Sequence, residues 1–140
     1  MKIKVKKLYQ DAIIPQVMRV GDAAMDFYAY KNYIMKPGER IIVETGVAIA
    51  IPEGYWGNVR DRSGLAGKHG LHIMAGVIDS NYRGEIQVVI VNLGQETYQI
   101  EKGHRICQMI IEKHENIETS EVDELNQTNR GEDKLASSGY

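Results

Sequence analysis

Short runs rich in Val, Ile and Tyr recur along the chain: KIKVKKL near the N-terminus, RIIVETGVAIAI from Arg40, YWGNV from Tyr55, LHIM from Leu71, EIQVVIVNL from Glu85 and RICQMII from Arg105. Several alternate apolar with polar residues, the period of a strand that buries one face. Each run is therefore predicted to be a strand. Pro37-Gly38, Pro52-Glu53-Gly54, Gly70, Arg83-Gly84, Asn92-Leu93-Gly94 and Lys102-Gly103 punctuate them, a turn about every ten residues, which suits a sandwich or barrel better than alternating strands and helices. The expected class is all-β, a distorted jelly-roll barrel or sandwich. One short helix is expected at SGLAGK, where Ser63 can cap the first turn and Gly67 is an early stop.

From about Glu112 the pattern fades into charged and small polar residues, with Ile117, Val122, Leu125, Leu135 and Tyr140 the only large apolar side chains. The predicted division is a folded body over residues 1–125 and a mobile C-terminal arm over 126–140. Composition agrees with one soluble domain: 140 residues, 43% hydrophobic and 26% charged, enough chain for a real core. No apolar run approaches the ~20 residues that span a bilayer, so no membrane association is expected. The opening MKIKVKKLYQ lacks the apolar block of a signal peptide, and a cytoplasmic location, or a host cytosol for a viral protein, is expected.

A formal net charge of −2 gives no reason to expect a nucleic-acid partner, though it leaves room for a small phosphorylated ligand. Cys107 is the only cysteine and lies within an apolar run, where a buried small hydrophobe is expected rather than a nucleophile. His69, His72, His104 and His114 do not have zinc-site spacing. P-loop and Rossmann fingerprints are absent.

Polar residues and glycines gather at strand ends in five places. In AAMDFYAY, Asp26 follows small residues at the start of an apolar segment, as a surface-turn aspartate also would. In RSGLAGK, Arg62, the Ser63 hydroxyl and backbone amides near Gly64 suit an anion, but a solvated Arg and a plain N-cap explain them equally. AGVIDSNYRGEI reads as a hairpin whose tip carries Asp79, Asn81, Tyr82 and Arg83, approached by a bare Ala75-Gly76 backbone open to a flat ligand. Asp79 follows Val77 and Ile78, and partial desolvation there would suit it to take a proton from water; an ordinary turn is the alternative. Gln108 alternates with Ile106 and Ile110 and is expected to point inward with them, where it needs partners. The fifth place, RGEDKLASSGY, offers Arg130, Lys134, Ser137, Ser138 and Gly139 as a kit for a terminal phosphate, or is a frayed tail.

Taken in this order, the five stretches resemble the five motifs of the trimeric dUTPase family from about residue 20 to the C-terminus, with RSGLA, GVIDSNYRGEI and GHRICQ the most specific pieces and TGVAIAIPEGYWG similar to the family's linking strand pair. The resemblance implies hydrolysis of dUTP to dUMP and pyrophosphate by water attack at the α-phosphorus, which lowers dUTP and supplies dUMP for thymidylate synthesis. By resemblance, Asp79 is the general base, Tyr82 packs under the deoxyribose, and the backbone of Ala75, Gly76, Val77 and Ile78 reads uracil. Arg62, Ser63 and Gly64 match phosphate contacts, Gln108 helps hold the α-phosphate and the water, and Asp26 reaches a magnesium ion through water. A homotrimer is implied, its active sites shared between subunits and closed by the arm with Arg130, Leu135, Ser137 and Ser138.

The arm departs from the family pattern, Arg-Gly-x-Gly-Gly-Phe-Gly-Ser-Thr-Gly. Asp133-Lys134-Leu135-Ala136 stands in its middle, so the family's stacking ring is missing; Leu135 could cover the base by apolar contact, and Tyr140, five residues later, is the alternative. Asn81 and His104 also replace common acids. Two other functions compete with this one. A dCTP deaminase of the same superfamily would need a glutamate where this chain has Val89, and a noncatalytic sensing or protein-binding trimer would not need Asp79, Asp26, Gln108 and Arg130 together.

Overall fold

The computed structural model describes residues 1–132. The alternating runs become β1 (Lys4–Lys7), β4 (Arg40–Ala50), β5 (Tyr55–Arg60), β6 (Leu71–Met74), β8 (Glu85–Asn92) and β10 (Arg105–Lys113). Between them lie β2 (Met25–Tyr28), β3 (Tyr33–Met35), β7 (Val77–Ile78) and β9 (Tyr98–Ile100), too short to carry a clear period of two, and α1 (Ser63–His69). Among the described residues, regular structure ends at Lys113. Residues 114–132 carry no helix or strand and are exposed, while the rest of the expected arm, 133–140, lies outside the described residues.

All pairings among the described residues are antiparallel. One sheet has the order β1-β4-β8-β6, a second β2-β10-β5-β7, and β3 with β9 makes a small third. The ladders do not close into a barrel among the described residues, so the architecture is a jelly-roll sandwich. Inward residues of the first sheet, Val43, Ile86, Val88 and Ile90, meet Phe27, Val59, Cys107 and Met109 of the second in a single core. Full burial contributes roughly 1.5–3 kcal/mol for each large apolar side chain. The Cys107 thiol is fully buried, and loss of water pushes its pKa up, which makes it the inert hydrophobe expected of it.

Two irregularities position the site. β4 carries a bulge: Glu44 pairs with Gln87 and Ala48 with Glu85, so four steps on β4 oppose two on β8. Within the bulge, buried Thr45 donates its hydroxyl to the Ile86 carbonyl at 2.6 Å. The second irregularity ends β6, where Ala75 at φ 66° and Gly76 at φ 125° turn the chain out of the first sheet and into the second. β7 consequently pairs with β5 and not with β8.

The expected hairpin is therefore not a zipped one, because its two strands belong to different sheets and residues 79–84 bridge them. Helix α1 also differs from expectation. Arg62 occupies the N-cap, with no side-chain cap, so the Ser63 hydroxyl is not spent on the helix. The helix runs through Gly67 and stops at Gly70, whose left-handed φ of 69° lets its N–H reach the Ala66 and Leu65 carbonyls.

Candidate active site

Asp26, on β2, lies directly opposite Gln108 on β10, and Gln108 lies opposite Arg60 on β5. All three project from the outer face of the second sheet, because Met25, Phe27, Cys107 and Met109 take the core. Gln108 does not point inward with Ile106: a bulge between Arg105 and Cys107 shifts the phase, burying Ile106 while Gln108 and Ile110 share the outer face. The partner that a half-buried amide requires is the Asp61 carbonyl, 2.7 Å from Nε2. A carbonyl can only accept, so the amide orientation is fixed.

The chain over residues 18–24 and the start of α1 wall this face into a cavity of about 710 Å³ lined by Arg19, Asp22, Asp26, Arg62, Ser63, Gly64, Arg105 and Gln108 among others. Its anchor is Asp26, only 8% exposed. One carboxylate oxygen lies 3.3 Å from Arg62 Nε and the other 3.1 Å from Arg105 Nη1, while Arg62 also donates to the Arg105 carbonyl at 3.2 Å. Asp26 thus holds two guanidinium groups at the cavity wall, and their remaining N–H donors suit phosphate oxygens. Arg105 was not among the residues singled out from the sequence. The same bulge puts it on the Gln108 face, a position three residues away that unbroken alternation would have put on the opposite side.

The donors suit a hard cation. The carboxylates of Asp22 and Asp26 and the Ser63 hydroxyl line the cavity without histidine or cysteine, the oxygen chemistry magnesium prefers. Because both Asp26 oxygens already face arginines, a contact from Asp26 through water fits better than direct ligation.

A second cleft, of about 320 Å³, separates β7 from β8 and is lined by Ile42, Val77, Ile78, Asp79, Tyr82, Glu85, Gln87 and Val89. It exists because the two strands do not zip together. β7 is an edge strand, and its free edge faces this gap with backbone donors and acceptors that a planar heterocycle can use. The connecting turn is held by Arg83, which donates to the Ser80 and Tyr82 carbonyls at 2.6 and 2.7 Å. Tyr82 hydrogen-bonds to the Glu85 carbonyl at 2.9 Å. Val89 places no acid where a deaminase would need one.

Asp79 is exposed, so the expected desolvation is not supplied by the described residues of its own chain: Val77 and Ile78 precede it but do not cover it. Asp79 and Gln108 line separate cavities, the cleft between β7 and β8 and the arginine-lined cavity. Ala75 and Gly76 line a third cavity, of about 780 Å³, beside Val59, Asp61 and His72, and Val77 borders both that cavity and the cleft. Arg130 sits in an exposed turn closed by the Gly131 N–H on Thr128, away from the cavities described. Leu135, Ser137 and Ser138 lie outside the described residues.

A family model described as dUTPase matches residues 10–139. The chain is similar to the deoxyuridine 5'-triphosphate nucleotidohydrolase of Finegoldia magna, with 44% identity and all of both chains covered, and to that of Orientia tsutsugamushi, with 43% identity over 99% of each. Among solved structures it superposes on the dUTPase of Staphylococcus bacteriophage 80alpha bound to dUPNHPP, with a TM-score of 0.93, 30% identity and 99% of each chain covered. A mutant dUTPase from phage phi11 of S. aureus, described for its coordination of a structural Mg(II) ion, gives a TM-score of 0.83 at 27% identity, covering 91% of this chain and 100% of that one.

Proposed function

The chain belongs to the dUTPase family, and from that premise we propose that it hydrolyses dUTP to dUMP and pyrophosphate. The observation that carries the reading is the cleft between β7 and β8, where an unpaired strand edge, a tyrosine and a carboxylate free of hydrogen bonds from other described residues meet in one space. The β7 edge reads the uracil ring, and unpaired polar groups reject cytosine. Tyr82 lies under the deoxyribose. Asp79 takes a proton from a water whose oxygen bonds to the α-phosphorus as the bond to the bridging oxygen breaks, and pyrophosphate departs with the electron pair.

Arg62, Ser63, Gly64 and Gln108 hold the triphosphate, with Arg105 supporting Arg62. Magnesium bound to the triphosphate would neutralise charge as pyrophosphate leaves, and Asp26 reaches it through water. The separation of Asp79 from Gln108 is accounted for by a homotrimer, in which the cleft of one copy faces the arginine-lined cavity of the next. Ile42 and Met74, 57% and 38% exposed, with Val89 beside them on the outer face of the first sheet, are consistent with such a covered surface. The arm, with Arg130, Leu135, Ser137 and Ser138, closes the site and excludes water. No helix among the described residues is long and apolar enough to cross a membrane; a cytoplasmic enzyme without a nucleic-acid partner is the fitting setting.

Incubation with dUTP, dCTP, dTTP and UTP in the presence of magnesium tests this reading. Release of dUMP and pyrophosphate from dUTP alone is expected. Ammonia from dCTP, or no turnover of dUTP, overturns it.

A further inference from the structure

The support behind Tyr82 reaches beyond the cleft. The ring lies over Gly84, where any Cβ would overlap the tyrosine hydroxyl, and that hydroxyl donates to the backbone carbonyl of Glu85, the first residue of β8. The Glu85 carboxylate in turn accepts the Gly46 N–H at 2.7 Å. Gly46 sits in the β4 bulge, where the ladder to β8 is interrupted, so the side chain supplies an acceptor that β8 backbone does not. Gly46 is itself fixed: its φ is 72°, and a Cβ there would meet Ala12 and the Tyr30 ring at 2.9–3.0 Å. Its carbonyl accepts the Leu8 N–H at 2.9 Å.

We infer that Glu85 is a positioning residue for sugar discrimination. By tying the start of β8 to the β4 bulge, it sets the carbonyl on which the Tyr82 hydroxyl rests, and hence the position of the ring that a ribose 2′-hydroxyl meets. This rests on the reading that Tyr82 packs under the deoxyribose. Strand pairing also holds Glu85, opposite Ala48, but the ladder is interrupted between that pair and Glu44↔Gln87, and the Gly46 N–H in that gap finds its acceptor in the Glu85 side chain.

The test compares kcat/KM for dUTP and UTP in wild type, Glu85→Ala, Glu85→Gln, Tyr82→Phe and the Glu85→Ala/Tyr82→Phe double variant, following pyrophosphate release. Glu85→Ala is expected to lower the dUTP:UTP ratio about tenfold, mainly through a higher KM for dUTP. Glu85→Gln, which keeps an acceptor for Gly46, should stay within about twofold of wild type. In the Tyr82→Phe background the alanine substitution should add little, because both changes break one chain of contacts. A ratio unchanged in Glu85→Ala, a glutamine variant as poor as the alanine one, or equal losses in both backgrounds would each overturn the inference. Should Glu85→Ala not fold, Glu85→Asp, whose carboxylate is one methylene short of Gly46, carries the same comparison. A wild type inactive on dUTP overturns the parent reading and this inference together, whereas an active wild type with an unaltered ratio in the variants overturns the inference alone.

Discussion

Asp26 and Gln108 stand side by side across the β2–β10 ladder, which places a buried carboxylate and a fixed amide on the same wall of the arginine-lined cavity. Each is held from a different direction: Asp26 by Arg62 and Arg105, Gln108 by the Asp61 carbonyl. The contacts that fix this wall come from the chain itself, and such preorganisation favours transition-state charge stabilisation.

Asp26→Asn keeps the shape but removes the charge between the two guanidinium groups. The expected results are a loss of about 1.5–3 kcal/mol in urea unfolding, the scale of hydrogen bonds to a charged group, and a raised KM for dUTP as the arginines lose their anchor. Unchanged stability together with unchanged KM would remove Asp26 from its assigned role.

Asp79→Asn tests the base. The side chain is exposed and makes no hydrogen bond with the described residues, so stability should not change. Turnover should fall by a factor on the order of 10²–10⁴, the range for general base catalysis, while a non-hydrolysable dUTP analogue still binds. Full turnover in the variant would mean that the water is activated elsewhere.

The alternating runs were legible because period two survives wherever a strand has one wet face, as in β8, where Ile86, Val88 and Ile90 are buried and Gln87 is exposed. The fold class followed from those runs and their turns. What escaped was local phase. A bulge before Cys107 reversed the expected side of Gln108 and hid Arg105, and backbone turns at Ala75 and Gly76 sent β7 to the other sheet. Neither leaves a mark in hydrophobicity, since a bulge is one unpaired residue and a turn at positive φ is a backbone event. The site residues around Asp79 were recognisable as a cluster, but the cleft they line depends on long-range strand pairing that no local pattern encodes.

Gly76→Ala probes that turn. At φ 125° an L side chain is strained, and a Cβ would lie 2.8 Å from the Val59 carbonyl oxygen, which sits next to the bond that the Val59 N–H makes to Gly76. The variant should lose roughly 1–3 kcal/mol and bind the dUTP analogue more weakly as β7 shifts. Ala75→Gly, at φ 66° and without such a clash, is the control and should change stability by less than about 1 kcal/mol. Equal stability in both variants would show that the turn is not held as described.

A surface cluster far from the chemistry gives a pH signature. Asp11 accepts from Lys102 and, at 2.9 Å, from the Tyr30 hydroxyl, and the Lys102 ammonium lies 4.5 Å from the Tyr30 ring centroid. The bond from Lys102, then that from Tyr30, holds the Asp11 carboxyl below its ordinary 3.8, while Asp11 raises Lys102 above 10.5 and Tyr30 above 10.0. A depressed acid stabilises the fold above its unfolded value and loses that contribution as pH falls through the folded one. Raised groups contribute below their unfolded values and lose it as pH rises through the folded ones. Asp11→Asn should therefore lower Tm by a constant amount between about pH 5 and 9, with the gap to wild type closing at both extremes and narrowing in high salt. A gap that widens in acid would contradict the assignment.

Leu135→Phe addresses the arm, whose closure over the base is part of the proposed function. A leucine covers a flat ring through apolar contact alone, whereas an aromatic ring adds offset stacking of about 0.5–1.5 kcal/mol. If residue 135 covers uracil, the phenylalanine variant should bind a non-hydrolysable dUTP analogue about two- to tenfold more tightly by titration calorimetry. A variant truncated before Leu135, which lacks the covering residue altogether, should bind the analogue more weakly than wild type. Equal affinity in wild type and Leu135→Phe would mean that residue 135 does not contact uracil, and the task of covering it would pass to another residue of the arm.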